Sequence, residues 1–323
     1  MIRIETGSRL HFGLFNIGAD KAWENIDREF KLPARRFGGV GLMVDSPGIS
    51  LAVEPAPAWS ASGPLANRTL EFARRFAASL VAEELSPQRL TISRAPPEHA
   101  GLGTGTQLGL AVAEALAIAA GHTGWSPIDL AARVGRGHRS GIGVHGYRNG
   151  GLIVDGGKRA GELSTLLLRE AFPSEWRAVL LLPPIGPGMH GQWEIEKFDR
   201  LQLMPTFAGR MNALCRLVLL GMIPALRERD CQTFGESLYD YNAHVGELFA
   251  AEQCGRYSHP VIGELIGFVR KLGIAGVGQS SWGPAVFAVT ESAERATHVA
   301  DAARKRYGGN MMVWVTAARG TPV

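Results

Sequence analysis

The chain has 323 residues, of which 46% are hydrophobic and 20% charged, and its formal net charge is +4. These values are ordinary for a soluble globular protein with one large or two medium domains. Basic residues are scattered and not interleaved with aromatic side chains, which argues against nucleic acid as a partner. Because the sequence shows no signal-peptide pattern and no apolar run of membrane-spanning length, we expect a cytoplasmic protein without a membrane partner.

The first part of the chain is predicted to alternate strands and glycine-rich turns. "IRIETGSRLHFGLFNIG" and "GGVGLMVDSPGISLAVEP" have the pattern of strands, "LANRTLEFARRFAASLVAEEL" has helical periodicity, and "RLTISRAPP" is again strand-like. Arg9 and His11 are two residues apart on the first of these segments, so their side chains point to the same side of a strand. We expect them to belong to a site, the alternative being a surface pair at a strand end.

A glycine-rich segment, "PPEHAGLGTGTQLG", then leads into a helix that is small and apolar nearly all round, predicted from Gln107 to Ala120. Such a segment favours anion binding, because glycine allows close approach and a helix N-terminus offers unpaired N–H groups. The pattern is neither a Walker A loop nor a dinucleotide fingerprint, and tight helix packing is the alternative explanation. The expected anion-binding residues are Gly101, Gly103, Thr104, Gly105, Thr106 and Gln107.

The next segment is markedly basic. A short helix is predicted from about Ile128 to Val134, capped by Ser126 with Pro127 at its first position. Between Leu130 and Val154 there is no Asp or Glu, whereas this stretch contains Arg133, Arg136, His138, Arg139, His145 and Arg148. The local excess of positive charge suits a small, highly charged anion.

The second half is predicted to be a separate α+β unit. "GGLIVDGG" and "WRAVLLLPP" are strand-like, helical patterns dominate from Thr206 to Leu272, and the end reads strand, helix, strand. "GPGMHGQWEIEKF", which contains His190, is either a lid over a site or a solvated loop. The three cysteines lack CxxC spacing and indicate neither a disulfide framework nor structural zinc. We place a domain boundary near residue 165, giving domains 1–165 and 166–323, and a homodimer is possible.

Three motifs together resemble the GHMP small-molecule kinase superfamily. Pro97 to Thr106 matches its phosphate loop, "SGIGVHGYRNGG" its "SGxD…GG" segment, and "GVGQSSWGPAVFAVT" its C-terminal glycine-rich motif. The resemblance implies a two-domain α+β fold with a ribosomal S5-like N-terminal half and a ferredoxin-like C-terminal half. However, Gly143 stands where these kinases commonly have a catalytic Asp, and the acid-free stretch offers no replacement for their upstream magnesium-binding Glu. A kinase therefore stays an alternative that would need a carboxylate from elsewhere, such as Asp155.

One branch of the superfamily fits this departure. "SRLHFGLFN", "GGVGLMVD", "GRGHRSGIG" and "GGLIVDGG" resemble β-ribofuranosylaminobenzene 5′-phosphate synthases of tetrahydromethanopterin biosynthesis. The resemblance implies decarboxylating transfer from 5-phosphoribosyl 1-pyrophosphate to 4-aminobenzoate or 4-hydroxybenzoate, with Mg²⁺ as cofactor but no identified ligands. Asn16 departs from the Asp that is frequent in the family's first motif. A non-catalytic phosphometabolite-binding protein is the other alternative.

This resemblance and the residue pattern together define the expected site. The expected catalytic residues are Arg9, His11, His138 and Arg139. The further substrate-binding residues, beside those of the glycine-rich segment, are Arg136, Ser140, Gln279 and Ser280. Trp282 could either stack on the aromatic acid or pack in the core.

Overall fold

The computed structural model describes residues 1–16, 35–80, 85–186, 207–253 and 255–320. These ranges contain three four-stranded sheets with helices packed on them. The segment around His190, and Cys254, lie outside the described residues. Within those ranges, no helix is both long enough and apolar enough to cross a membrane.

The N-terminal half contains two sheets. One has the order β1-β4-β6-β5, with β5 parallel to β6, and the other is antiparallel with the order β2-β3-β7-β8. The apolar stretch at the N-terminus therefore splits into two strands of different sheets. The bounds are β1 (Ile2–Glu5), β2 (Ser8–Asn16), β3 (Gly38–Val44), β4 (Ser50–Pro55), β5 (Ser60–Ser62), β6 (Gln88–Arg94), β7 (Leu152–Asp155) and β8 (Leu166–Glu170).

The helices of this half lie in the order expected from the sequence. The Ser126 cap is confirmed, because its hydroxyl accepts from Asp129 N at 3.2 Å and the Asp129 carboxylate accepts from Ser126 N at 2.9 Å. This reciprocal pair is a capping box. The bounds are α1 (Ala66–Ala77), α2 (Thr104–Ala119), α3 (Pro127–Arg133) and α4 (Ile142–His145).

The C-terminal half is a four-stranded antiparallel sheet with the order β10-β11-β9-β12. Its chain order of strand, helices, two strands, helix and strand is the ferredoxin-like arrangement, which confirms the expected fold class. The helical prediction up to Leu272 is also confirmed. The bounds are β9 (Arg177–Leu182), α5 (Phe207–Arg216), a π-helical turn (Leu217–Met222), α6 (Ile223–Arg227), α7 (Cys231–Phe249), α8 (Pro260–Lys271), β10 (Gly276–Gln279), β11 (Val286–Thr290), α9 (Ala293–Tyr307) and β12 (Met312–Thr316).

The two halves share a hydrophobic core. Leu10 and Phe12 of β2 pack in one cluster with Phe287 of β11 and Leu238 of α7, all of them almost fully buried. The predicted boundary near residue 165 stays a prediction, and β8, which follows it, still pairs with β7. A site at the junction of the halves is therefore held by continuous packing on both sides.

Helix α7 is fastened to β2 by buried hydrogen bonds. The Tyr241 hydroxyl donates to Gly13 O at 2.9 Å, and Asn242 Nδ2 donates to Phe12 O at 2.7 Å and to Gln279 O at 2.9 Å. Asn242 Oδ1 in turn accepts from Gln279 N at 2.9 Å. One asparagine side chain thus ties β2, α7 and β10 together.

We expect Tyr241→Phe to lower the free energy of unfolding by about 1–2 kcal/mol, because it leaves the carbonyl of Gly13 buried without its donor. Tyr307→Phe is the matched control, since the Tyr307 hydroxyl is buried without a hydrogen-bond partner among the described residues. Its loss should be neutral or slightly stabilising. Chemical denaturation of both variants measures the difference, and equal effects would contradict the role given to the Tyr241 hydroxyl.

Candidate active site

A cavity of about 440 Å³ opens between the two halves. Its walls come from β2, the segment before α2, the first turn of α2, residues 135–140, the end of α7 and residues 279–283. The arginines that line it are Arg9, Arg68, Arg136, Arg139 and Arg256, and no Asp or Glu is among its described lining residues. Such a wall is suited to a polyanionic ligand.

The glycine-rich segment becomes helical sooner than the sequence suggests. Gly101 and Gly103 have φ of +82° and +71°, and α2 begins directly after Gly103, at Thr104. Thr104 to Gln107 therefore form the first helical turn rather than a loop. Because Thr106 N and Gln107 N bond to Gly103 O, the N–H groups that can face a ligand are the earlier ones, at Thr104 and Gly105.

The turn before α2 is held by its neighbours on both sides. Arg9 N donates to Leu102 O at 2.9 Å, and Ala285 N donates to Ala100 O at 3.1 Å. The Ser280 hydroxyl donates to Gly101 O at 2.7 Å and accepts from His11 N at 3.0 Å. Strand β2, the glycine turn and the residues after β10 are thus joined through one buried serine.

Two residues expected to bind substrate, Ser280 and Gln107, are not among the residues that line the cavity. Ser280 is fully buried in the contacts just described, and Gln107 is 1% exposed with its amide donating to Gly143 O at 2.9 Å. Neither side chain lines the cavity. The Ser280 hydroxyl and the Gln107 amide nitrogen are thus used in bonds to backbone, and a role of either residue in substrate binding stays a prediction.

The other expected residues do line the cavity, which brings together Arg9, His11, Gly101, Gly103, Thr104, Gly105, Thr106, Arg136, His138, Arg139, Ser140 and Gln279. Some of them also brace the wall. Arg136 Nη2 donates to Thr106 Oγ1 at 3.1 Å, and Thr104 Oγ1 donates to Pro97 O at 3.1 Å. Gln279 Oε1 accepts from Ser258 N at 2.9 Å, so its amide supports the wall as well as lining it.

Guanidinium groups follow the glycine turn and the first residues of α2. Gly101 lies against the backbone of Ser280 and Gly283, and the ring of Trp282, which lies between these two residues in the sequence, is 4.7 Å from the Phe249 ring, centroid to centroid. Trp282 is buried in the core and also lines the cavity, and its stacking on the aromatic acid stays a prediction. Farther along, Gly103 lies against Arg9, Gly105 against Arg68, and Thr106 against Arg136.

Two of the three histidines that line the described part of the cavity, His11 and His138, have a lowered pKa. Burial, with the charge of Arg9 adding to it, holds the pKa of His11 well below its usual value. The pKa of His138 is also lowered, by burial and then by the nearby positive charges of Lys158, Arg136, Arg75 and Arg139. Neither imidazole therefore acts as a permanent positive charge at neutral pH.

The stability of the fold should consequently fall as the pH drops below about 6.5, the usual pKa of histidine. Below that pH the unfolded chain binds a proton at residue 11 that the folded chain does not, so folding weakens by about 1 kcal/mol near pH 5.5. We expect His11→Asn to show a smaller loss of unfolding free energy than the parent between pH 7.5 and 5.5. Denaturant titrations at both pH values measure this, and parallel losses would refute a neutral buried His11.

Only some of the basic residues between Leu130 and Val154 line the cavity. The guanidinium of Arg133 stacks on the Trp125 ring at 3.8 Å and donates to Ser79 O at 2.8 Å, outside the cavity lining. His145 Nε2 lies 3.0 Å from Ser164 O and is a satisfied partly buried histidine. Of the basic residues in this stretch, Arg136, His138 and Arg139 line the cavity, whereas Arg133, His145 and Arg148 do not.

Carboxylates near the glycine turn are used structurally. Asp155 is fully buried and accepts from the backbone N–H of Gly141 and of Gly157, and burial raises its pKa despite those bonds. Glu114 accepts from the Tyr147 hydroxyl at 2.7 Å and pairs with Arg148 at 3.2 Å. Neither lines the cavity.

Among the residues that the structure describes, no set of ligands matches the magnesium that the family resemblance implies. Mg²⁺ is usually held by one or two carboxylates together with substrate phosphates. The described wall offers guanidinium, imidazole and N–H groups instead, and the described residues contain no group of three His, Cys, Asp or Glu that could hold a metal. This donor set does not fit a protein-held magnesium ion, and it also lacks the carboxylate that a kinase would need.

Several cavity residues carried no signal in the sequence. Arg68 lies in an amphipathic helix where a basic residue looks like ordinary surface, and Arg256 and Tyr257 lie outside the motifs. The Tyr257 hydroxyl is held neutral, since burial raises its pKa to about 12. Their proximity to the glycine turn depends on the packing of α1 and α7, which no local pattern encodes.

The sequence is similar to known proteins over nearly its whole length. Residues 222–309 match the family model for the C-terminal part of GHMP kinases. The chain is 30% identical to the β-ribofuranosylphenol 5′-phosphate synthase of Methanothermobacter thermautotrophicus, over 98% of this chain and 96% of that protein. It is 31% identical to the Archaeoglobus fulgidus protein of the same name, over 90% of this chain and 88% of the relative.

Solved structures show the same fold at much lower identity. Mevalonate pyrophosphate decarboxylase from Streptococcus pyogenes matches with a TM-score of 0.70 and 12% identity, covering 100% of this chain and 98% of that one. A structure described as a putative homoserine kinase from Listeria monocytogenes matches with a TM-score of 0.67 and 16% identity, covering 99% and 97%.

Proposed function

Because this chain belongs to the β-ribofuranosylphenol 5′-phosphate synthase family, we propose that it transfers a phosphoribosyl group from 5-phosphoribosyl 1-pyrophosphate to 4-hydroxybenzoate or 4-aminobenzoate. The products are the aryl C-riboside 5′-phosphate, carbon dioxide and pyrophosphate, and the reaction serves methanopterin biosynthesis. The observation that carries the proposal is a cavity with arginines but no described carboxylate, built around the N-terminus of α2.

The chemistry requires charge stabilisation more than proton transfer. The bond between ribose C1 and the pyrophosphate oxygen breaks with its electron pair leaving on pyrophosphate, and C1 becomes cationic. The ring carbon that bears the carboxylate attacks C1, aided by electron donation from the para hydroxyl or amino group. The ring then regains aromaticity when its bond to the carboxylate breaks and carbon dioxide leaves, so no proton has to be removed from the ring carbon.

The cavity supplies what this reaction needs. N–H groups at the start of α2 and the guanidinium of Arg9 lie where they can hold the growing negative charge of the pyrophosphate. Arg136, which is bonded to Thr106 in the first turn of α2, adds to this positive charge, and Arg139 extends the positive wall for the remaining phosphate. Neutral His11 and His138 can donate or accept hydrogen bonds. No general base is required at the ring carbon, because carbon dioxide and not a proton leaves it, which agrees with glycine at position 143 in place of a kinase carboxylate.

We assign the aromatic acid to the end of the cavity that is lined by Phe249 and Trp282. Phe249 and Trp282 both line the cavity and provide apolar ring surfaces there. A weakly polar environment favours loss of carbon dioxide, because it disfavours the charged carboxylate more than the neutral product. A benzoate ring at this end can present its substituted carbon toward ribose C1.

Pyrophosphate release from matched donors tests the proposal. Purified protein is incubated with each acid and either 5-phosphoribosyl 1-pyrophosphate or ATP, and pyrophosphate and ADP are measured. We expect acid-dependent pyrophosphate with the first donor and no ADP with the second. Formation of ADP together with a phosphorylated acceptor would replace the proposal by the kinase reaction.

A further inference from the structure

Arg68 reaches the cavity from α1, a helix that lies outside all the sequence motifs quoted for the family and its superfamily. An added Cβ on Gly105 would lie 2.9 Å from Arg68 Cζ and 3.2 Å from its Nη1. The guanidinium therefore lies directly against the first turn of α2. Arg68 also lines the cavity, so this charge is presented to the ligand space.

The Arg68 side chain is held in place by an ion pair. Its Nη1 donates to Glu98 Oε1, and the side chains are 29% and 35% exposed. Glu98 lies three residues before Gly101, on the segment that leads into the glycine turn. A guanidinium has five N–H donors in a fixed fork, so one edge can bond to Glu98 while another faces a phosphate.

Three guanidinium groups follow one another along this turn. Arg9 lies against Gly103, Arg68 against Gly105, and Arg136 donates to Thr106. A single phosphate cannot occupy all of these positions, whereas two linked phosphates span about one helical turn. We propose that Arg68 is a binding residue for the pyrophosphate group of the donor, and that Glu98 positions it. This inference rests on the proposed function, and it adds a residue and a positioning partner to it.

Gly105 offers a way to move Arg68 without removing its charge. Gly105 has ordinary helical backbone angles, and the nearest atoms to an added Cβ all belong to the flexible Arg68 guanidinium. Alanine is also about 1 kcal/mol more favourable than glycine within a helix. Gly105→Ala should therefore fold normally and push Arg68 off the turn. Gly267→Ala in α8, where nothing lies within 4 Å of an added Cβ, is the matched control.

The test is isothermal titration of inorganic pyrophosphate and of ribose 5-phosphate into the parent, Arg68→Ala, Gly105→Ala and the double variant. We expect each single variant to bind pyrophosphate 10- to 100-fold more weakly, ribose 5-phosphate within about twofold of the parent, and the double variant no more weakly than Arg68→Ala. Unchanged pyrophosphate affinity, equal losses for both ligands, or additive losses in the double variant would overturn the proposal. Additivity would mean that the new methyl group blocks the ligand itself.

The role of Glu98 is tested by kinetics, with binding as the independent readout. Glu98→Gln should raise the KM for 5-phosphoribosyl 1-pyrophosphate several-fold while kcat and the KM for the acid stay within twofold. An equal change in all three constants would indicate a merely structural Glu98. Pyrophosphate binding can be measured without turnover. If the protein does not catalyse the ribosyl transfer, the titrations therefore still test the role of Arg68.

Discussion

Arg139→Ala is expected to lower kcat/KM for 5-phosphoribosyl 1-pyrophosphate by about 100-fold, with little change in the melting temperature. A hydrogen bond to a charged group contributes roughly 1.5–3 kcal/mol, and a 100-fold change in rate corresponds to about 2.7 kcal/mol. Arg139 lines the cavity beside His138, whose pKa is lowered mainly by burial and then by a group of positive charges that includes Arg139. Steady-state kinetics and differential scanning calorimetry on the same preparation measure both quantities.

Arg133→Ala is the matched control for this prediction. Arg133 belongs to the same basic stretch, but its guanidinium stacks on Trp125 outside the cavity lining. Its loss should leave kcat/KM within twofold of the parent and can lower stability through lost packing. If Arg139→Ala loses stability and activity in proportion, or if Arg133→Ala is the more damaging to activity, the assignment of the cationic wall is wrong.

Gly101→Ala is expected to abolish activity and to destabilise the fold by about 2–4 kcal/mol. Gly101 has φ of +82°, and a Cβ there would overlap the carbonyl oxygen of Ser280. That oxygen is backbone and cannot swing away, so the turn before α2 must separate from the residues after β10. The hydrogen bond from Ser280 to Gly101 O would be strained at the same time.

Gly121→Ala separates the two causes of this effect. Gly121 has a similar φ of +86°, but nothing lies within 4 Å of an added Cβ. This variant should carry only the backbone strain of about 1 kcal/mol and keep its activity. Chemical denaturation compares the two variants, and an equal loss of stability in both would show that the contact with Ser280 is unimportant.

The features that the sequence predicts are those that depend on the residues of one short stretch of chain. The α+β character of the C-terminal half, the capped helix at Ser126 and the glycine turn before α2 all follow from glycine positions, capping residues and hydrophobic periodicity. The ferredoxin-like arrangement is implied by the family resemblance. The resemblance of consecutive motifs then predicts the family. Each of these signals lies within a short stretch of chain, so no knowledge of packing is needed to interpret it.

The sequence is least informative where the role of a side chain depends on the direction in which the fold points it or on its distance from the cavity. Gln107 and Ser280 lie in glycine-rich motifs and could equally serve ligand or backbone, and the fold directs both at backbone carbonyls. Arg133 is the last residue of α3, and the chain turns away after it through Gly135, whose φ is +64°. Arg68 was missed because its approach to Gly105 depends on how α1 packs against α2.

Release of labelled carbon dioxide tests the central claim most directly. The protein is given 4-hydroxybenzoate or 4-aminobenzoate labelled in the carboxyl group, with and without 5-phosphoribosyl 1-pyrophosphate. The account predicts release of label that requires the donor and equals the pyrophosphate formed, and that falls about 100-fold in Arg139→Ala under kcat/KM conditions. Folded protein that releases no label from either acid, or releases it equally without the donor, would contradict the account.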